Sequence, residues 1–116
     1  MPDATHPHPG PDITPAETRS AAATPTVLLD VREDEEWDRG HAAGAVHIPL
    51  GDLDPATMDT AVPVIAICRS GKRSGKAAER LAAAGFQVRN MAGGMNAWHE
   101  QGLPMVRDDG SAGGLE

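Results

Sequence analysis

The amino-acid sequence predicts an α/β domain: a parallel sheet with helices on both faces. Three observations carry that expectation. Two unbroken apolar runs, residues 27–31 (one Asp apart) and 64–67, have the pattern of strands buried on both sides. Strand-like and helix-like segments alternate along the chain, which calls for parallel strands joined by right-handed crossovers in three layers. The helix-like segments end at Gly40, Gly85 and Gly102, where glycine terminates a helix.

Each element follows from local chemistry. Residues 1–12 hold four prolines and almost nothing apolar, so they read as a disordered leader. Thr14-Pro15-Ala16-Glu17 has the N-cap, first-turn proline and third-position acid of a capping box, predicting a helix to about residue 23, before Pro25. Residues 27–31 form a strand and 33–39 a polar helix anchored by Trp37; 45–48 is a short strand stopped by Pro49. Residues 52–59 are a turn or short helix. Pro63 opens the strand at 64–67, where a missing N–H costs least. A helix is predicted over 74–84 with Ala77, Leu81 and Ala84 on one face, then a strand over 87–91 and a helix over 95–101. The folded domain spans 13–106, and the acidic, glycine-rich residues 107–116 read as a flexible tail.

Composition narrows the function. The 116 residues carry a net charge of −7, enough chain for one domain. Nineteen alanines and three aromatics give a core of small pieces. Cys68 is the only cysteine, so no disulfide forms within the chain and a reducing, cytoplasmic setting is expected. The longest apolar run, 64–68, is far below the roughly 20 residues of a membrane span, and no signal-peptide pattern opens the chain. An acidic total argues against nucleic-acid binding.

The chemistry concentrates at Cys68-Arg69-Ser70-Gly71-Lys72-Arg73-Ser74. This stretch follows the carboxyl end of a buried strand, where open parallel sheets bind ligands. A tight turn into a helix there points successive N–H groups inward, with the positive end of the helix dipole behind them. Such a nest stabilises the thiolate, the reactive form of cysteine. From Thr60 to Ala78 there is no acid, while Arg69, Lys72, Arg73 and Lys76 are basic. That +4 window leaves −11 for the rest of the chain. A buried, inert cysteine beside a solvated basic face is the plainer alternative; strand end, glycine turn, helix start and charge reversal together favour a reactive one.

Leu28-Leu29-Asp30-Val31-Arg32-Glu33, with Trp37, Gly40-His41, Gly44-Ala45 and His47-Ile48-Pro49-Leu50, is similar to the N-terminal signature of the rhodanese family. Cys68 to Ser74 resembles that family's active-site loop. Gly93-Gly94-Met95-Asn96-Ala97-Trp98, then Gly102-Leu103-Pro104, resembles its C-terminal signature. One departure is Ala42-Ala43-Gly44, where the family commonly has proline before the glycine. The resemblance implies a three-layer rhodanese-like fold with a parallel, roughly five-stranded sheet. It also implies a sulfurtransferase without metal or organic cofactor: Cys68 takes sulfane sulfur from a small anionic donor such as thiosulfate and passes it to a thiol or cyanide acceptor, or within a relay to a partner protein. In that scheme the N–H groups of residues 69–74, Ser70 among them, cradle the persulfide, Arg69, Lys72 and Arg73 orient the donor, and Gly71 permits the turn. Gly71 is expected to keep a side chain from crowding the nest, and Ser74 to cap the following helix.

Three rivals stand beside this. Cysteine phosphatases and arsenate reductases use a similar loop with five residues between Cys and Arg, whereas only four separate Cys68 from Arg73. A non-catalytic binding module generally lacks the cysteine or the basic loop. A persulfide carrier shares the same first intermediate. Elsewhere the plain readings prevail: His6 and His8 as solvated tail residues, His41 and His47 as structural, Asp30 and Arg32 as a bracing pair, residues 33–36 as a solvated acidic face, Met91 and Met95 as core, and Trp37 and Trp98 as packing anchors.

Overall fold

A computed structural model describes residues 8–115. In chain order the elements are α1 (Pro15–Ala21), β1 (Val27–Asp30), α2 (Asp34–Arg39), β2 (His41–Ala42), β3 (Val46–His47), two 3-10 turns (Leu50–Asp52 and Pro55–Thr57), β4 (Val64–Ile67), α3 (Lys72–Ala83), β5 (Val88–Asn90), α4 (Gly94–Glu100) and β6 (Met105–Val106).

Four strands make a parallel sheet in the order β3-β1-β4-β5. The fifth place, beside β5, holds a single bridge from Ile13 to Met91. The Gly10 N–H donates to the Val88 carbonyl at 2.9 Å and the Ile13 N–H to the Asn90 carbonyl at 3.0 Å. The two donors are three residues apart and their acceptors two, so the register slips by one residue and this edge does not become a full strand. A sheet of roughly five strands is therefore four strands and a bridge. The antiparallel pair β2–β6 was not expected; two-residue strands are too short to show a period.

The two-residue period of β4 sorts the core. Val64, Ala66 and Cys68 point to one face, where Ala77, Ala78, Leu81 and Ala82 of α3 cover them. Ile65 and Ile67 point to the other, against Ile13, Met91, Met95, Trp98 and Met105. Small alanines bring α3 close to the sheet, and so bring its amino terminus close to the end of β4. Ala84, expected on that buried face, is exposed because α3 stops at Ala83 and Ala84 is its C-cap. Gly85 then takes φ +95°, and the Phe86 N–H returns to the Leu81 carbonyl at 3.0 Å, dropping the phenyl ring into the core.

The capping box of α1 forms as expected: the Glu17 N–H donates to Thr14 Oγ1 at 3.1 Å and the Thr14 N–H to Glu17 Oε1 at 3.0 Å. The helix ends at Ala21, two residues early, where the Thr24 hydroxyl takes the Ala21 carbonyl at 2.6 Å. The Asp30–Arg32 pair is a brace. Both side chains are buried and joined at 2.8 Å, and Arg32 also donates to the Gly40 carbonyl at 2.8 Å.

The segment read as a flexible tail instead folds back. The Gly113 N–H donates to the Met105 carbonyl and the Gly114 N–H to the Arg39 carbonyl, each at 2.9 Å. Gly113 and Gly40 permit this approach: a Cβ on Gly40 would lie 2.6 Å from the Gly114 nitrogen, and one on Gly113 2.6 Å from the Gly40 Cα. At the other end, Arg89 Nε donates to the Pro11 carbonyl at 2.8 Å, tying down the described end of the leader. Residues 1–7, including His6, lie outside the described residues. No helix among the described residues is long and apolar enough to cross a membrane.

Candidate active site

The site is built where β4 hands over to α3. Cys68 follows the last residue of the strand, residues 69–71 turn, and the helix begins at Lys72. Gly71 is the helix N-cap at φ +104°, a left-handed conformation that glycine adopts at little cost. An added Cβ would meet nothing nearer than 3.6 Å. Conformation, rather than the crowding expected from sequence, is what calls for glycine here.

The Cys68 side chain is fully buried, and its sulfur collects donors. The Gly71 N–H reaches Sγ at 3.0 Å and the Ser74 hydroxyl at 3.2 Å. Ser74 is not the helix cap expected of it. Because α3 starts two residues early, Ser74 is the third helical residue, and its hydroxyl points back at the sulfur. Burial pushes the thiol up in pKa, but donation from the Ser74 hydroxyl and from the N–H groups of Ser74, Gly71 and Ser70 outweighs it. The net effect holds Cys68 below its ordinary value, as expected when hydrogen bonds favour the charged form.

The loop is also held from its other side. The Met95 N–H donates to the Cys68 carbonyl at 2.8 Å and the Asn96 N–H to the Arg69 carbonyl at 2.9 Å. In a trans peptide the carbonyl and the following N–H point in opposite directions. By holding the Arg69 carbonyl outward, the first turn of α4 turns the Ser70 N–H inward, and its hold on the Cys68 carbonyl fixes the peptide before it. Gly94 allows α4 to come this near: it has φ +58°, and a Cβ there would overlap the Cys68 carbonyl and stand 2.5 Å from that of Arg69. Asn90, at the end of β5, closes the ring. Its Nδ2 donates to the Gly71 carbonyl at 3.0 Å, and its Oδ1 accepts from Ser74 Oγ at 2.5 Å.

The loop's cations divide. Arg69 and Lys72 are exposed, as is Ser70. Arg73 is not free: it grips Glu36 with two hydrogen bonds, of 2.7 and 2.9 Å. That pair ties the start of α2 to the start of α3, and Glu36 is therefore not part of a merely solvated acidic face. The Arg73 guanidinium pulls the Glu36 carboxyl down to about 2, against the opposing effect of burial. Glu36 in turn raises Arg73. Since the folded pKa of Glu36 lies below its ordinary 4.5, the stability it contributes is full above 4.5 and is lost as pH falls toward 2. Glu36→Gln should lower the melting temperature at pH 7, and the gap between variant and parent should close between pH 4.5 and 2. Thermal melts across that range check this; a constant gap would mean the pair contributes nothing through ionisation.

The other singled-out residues lie elsewhere. Trp37 is half-buried rather than a core anchor: its ring stacks on His41 with centroids 3.4 Å apart and on His47 at 4.7 Å. His47 Nε2 lies 2.8 Å from the Arg32 carbonyl and His41 Nδ1 3.1 Å from that of Trp37, which are structural bonds. Trp98 is buried and donates to the Pro104 carbonyl at 3.0 Å. Met91 and Met95 are core. His8 is exposed. No group of three or more metal-ligating side chains occurs among the described residues. A cavity of about 350 Å³ opens at the opposite, amino-terminal ends of β1, β4 and β5, lined by Ile13, Ala21, Val64 and Val88 among others; it touches none of the loop residues. Sequence reasoning missed Glu36, Asn90 and Gly94 as parts of the site. Gly94 stood in a recognised glycine pair, but nothing in the sequence points from Glu36 or Asn90 to Cys68.

Residues 14–101 match the profile described as "Rhodanese-like domain". YtwF of Bacillus subtilis (strain 168), provisionally named a sulfurtransferase, is 43% identical over 79 residues, covering 66% of this chain and 77% of that protein. "Thiosulfate sulfurtransferase 16, chloroplastic" of Arabidopsis thaliana is 36% identical over 91 residues, covering 66% of this chain and 76% of its own length. Some relatives are much longer: the match spans 40% of YrkF of Bacillus subtilis (strain 168), provisionally named a sulfur carrier protein, at 40% identity over 61% of this chain. Among solved structures, a rhodanese-related protein from Thermoplasma volcanium superposes with a TM-score of 0.78 at 29% identity, covering 84% of this chain and 98% of that one.

Proposed function

The chain belongs to the rhodanese-like domain family, and from that premise we propose that it is a sulfurtransferase in which Cys68 carries sulfane sulfur as a persulfide. One observation carries the assignment: a single buried sulfur that receives the Gly71 N–H and the Ser74 hydroxyl at 3.0 and 3.2 Å at the amino end of a twelve-residue helix. That environment stabilises negative charge on one sulfur. The names of relatives point to the same chemistry, sulfur transfer for YtwF and thiosulfate for the Arabidopsis thaliana protein.

The proposed reaction has two steps. The Cys68 thiolate attacks the outer sulfur of thiosulfate; a new S–S bond forms, the S–S bond of thiosulfate breaks, and sulfite leaves with the electron pair. A cyanide or thiolate acceptor then attacks the outer sulfur of the persulfide, and Cys68 departs as thiolate. The N–H groups of Ser70, Gly71 and Ser74 stabilise the anionic sulfur at the start and end of the cycle. Exposed Arg69 and Lys72 draw the doubly charged donor to the loop, and Arg73, bonded to Glu36, fixes its edge. In each step a nucleophile displaces a sulfur leaving group at the outer sulfur (with cyanide a C–S bond forms and thiocyanate leaves), and both steps balance without a metal or organic cofactor. The nest is matched to one sulfur rather than to a tetrahedral oxyanion, because Arg73 follows Cys68 after four residues and is already engaged. The setting proposed is cytoplasmic, with a partner protein as an alternative source or recipient of the sulfur.

Intact-mass spectrometry after treatment with thiosulfate tests this. One added sulfur, removed by cyanide and absent in Cys68→Ser, is the expected result. No adduct on the parent protein would overturn the assignment in favour of a binding module.

A further inference from the structure

The hydroxyl of Ser74 has one proton and two acceptors. It lies 2.5 Å from Asn90 Oδ1 and 3.2 Å from Cys68 Sγ. The orientation of the Asn90 amide is fixed, since the Gly71 carbonyl, 3.0 Å from Nδ2, can only accept; Oδ1 must therefore face Ser74, and it too can only accept. Both acceptors thus compete for the same hydrogen, and a carboxamide oxygen at 2.5 Å holds the better position.

We propose that Asn90 is a positioning residue that sets the ionisation of Cys68 by competing for the Ser74 proton. With Cys68 protonated, the chain is satisfied throughout: the thiol donates to Ser74 Oγ, and Ser74 donates to Asn90 Oδ1. When Cys68 loses its proton to solvent, the sulfur becomes a pure acceptor and the Ser74 hydroxyl rotates toward it. Asn90 Oδ1 then loses the only donor it has among the described residues. The side-chain N and O atoms that are buried among the described residues all have partners, so the thiolate state alone carries this deficit. Asn90 is half-buried and its bond to Ser74 partly shielded from water, so losing that bond weighs against the state that loses it. Asn90 therefore restrains the thiolate that the loop N–H groups promote.

The charged groups around the sulfur do not supply this effect. From α3, Arg73 acts on Cys68 electrostatically, and Arg73 is itself neutralised by Glu36 of α2. Arg69 and Lys72 are exposed on the loop. β5 presents Asn90, and α4 meets the loop through the backbone of Gly94, Met95 and Asn96; none of these titrates.

The inference builds on the active-site assignment, yet its test needs no sulfur transfer. The thiol pKa is read from thiolate ultraviolet absorbance and from the pH dependence of iodoacetamide alkylation. Asn90→Leu, close in shape and unable to accept, frees the Ser74 proton for the sulfur and should lower the Cys68 pKa by about one unit. The Leu variant also loses the bond to the Gly71 carbonyl, so the same change is made in a Ser74→Ala background, where no hydroxyl remains to redirect. There the downward shift should vanish. An unchanged or raised pKa in Asn90→Leu, or an equal shift in both backgrounds, would overturn the proposal. If the shift appears as expected while no persulfide forms with thiosulfate, the donor assignment fails and this one stands.

Discussion

Cys68→Ser should abolish sulfur transfer, by at least about a thousandfold, while leaving the fold almost untouched. The first half follows from covalent chemistry: a serine hydroxyl in this nest lacks the polarisable, ionisable atom that attacks sulfane sulfur, and removing the nucleophile of a two-step mechanism leaves only weak residual catalysis. The second half follows from the site. Serine is slightly smaller, keeps an acceptor for the Gly71 N–H now at 3.0 Å from sulfur, and shares the Ser74 hydroxyl. Burial is complete at this position, but the oxygen accepts from the Gly71 N–H and its own proton can go to Ser74 Oγ, so the cost should stay within about 1 kcal/mol. Steady-state transfer to cyanide and a thermal melt, run on the same preparation, check both halves. A variant that retains transfer would remove Cys68 from the mechanism; a variant that is inactive because it has unfolded would show itself in the melt.

What could be read from sequence was local, and what could not was distant. Cys68, the turn at Gly71 and the helix after it lie within a few residues of one another, so apolar period, glycine and charge sufficed to bring them together. The parts that aim them do not. Glu36 reaches Arg73 across 37 residues of chain and Asn90 reaches Ser74 across 16, and both contacts exist only because β1, β4 and β5 lie side by side. Ser74 shows the limit from nearer at hand. Its place in a loop before a helix made it an N-cap by local rules, yet starting α3 at Lys72 rotated its hydroxyl to the sulfur. A two-residue change of boundary turned a structural reading into a chemical one. The tail shows the same lesson: residues 113 and 114 look flexible by composition, but the missing side chain of Gly113 is what lets the backbone close against Arg39 and Gly40.

Gly94→Ala should damage the site more than any other single methyl group added near it. At this position two costs coincide. The backbone sits at φ +58°, a region where a residue with a Cβ carries a penalty of about 1 kcal/mol or more. The new methyl would also press on the carbonyls of Cys68 and Arg69, and neither is a flexible side-chain end that can yield. Those carbonyls are the ones held by the Met95 and Asn96 N–H groups at 2.8 and 2.9 Å. Relieving the clash means moving α4 off the loop, which releases the two peptides it holds, including the one whose Ser70 N–H acts on the sulfur. The expected result is therefore threefold: a loss of about 2–4 kcal/mol in stability, a rise in the Cys68 pKa, and a large fall in transfer. Gly71→Ala separates the causes. It shares the left-handed backbone, at φ +104°, but its methyl would have 3.6 Å of clearance, so it should cost only the conformational part, about 1–2 kcal/mol. Denaturant melts and thiol titration of the two variants side by side make the comparison. If Gly94→Ala kept the parent's stability and thiol pKa, the support of the loop by α4 would be incidental, and the inward turn of the N–H groups would need another cause.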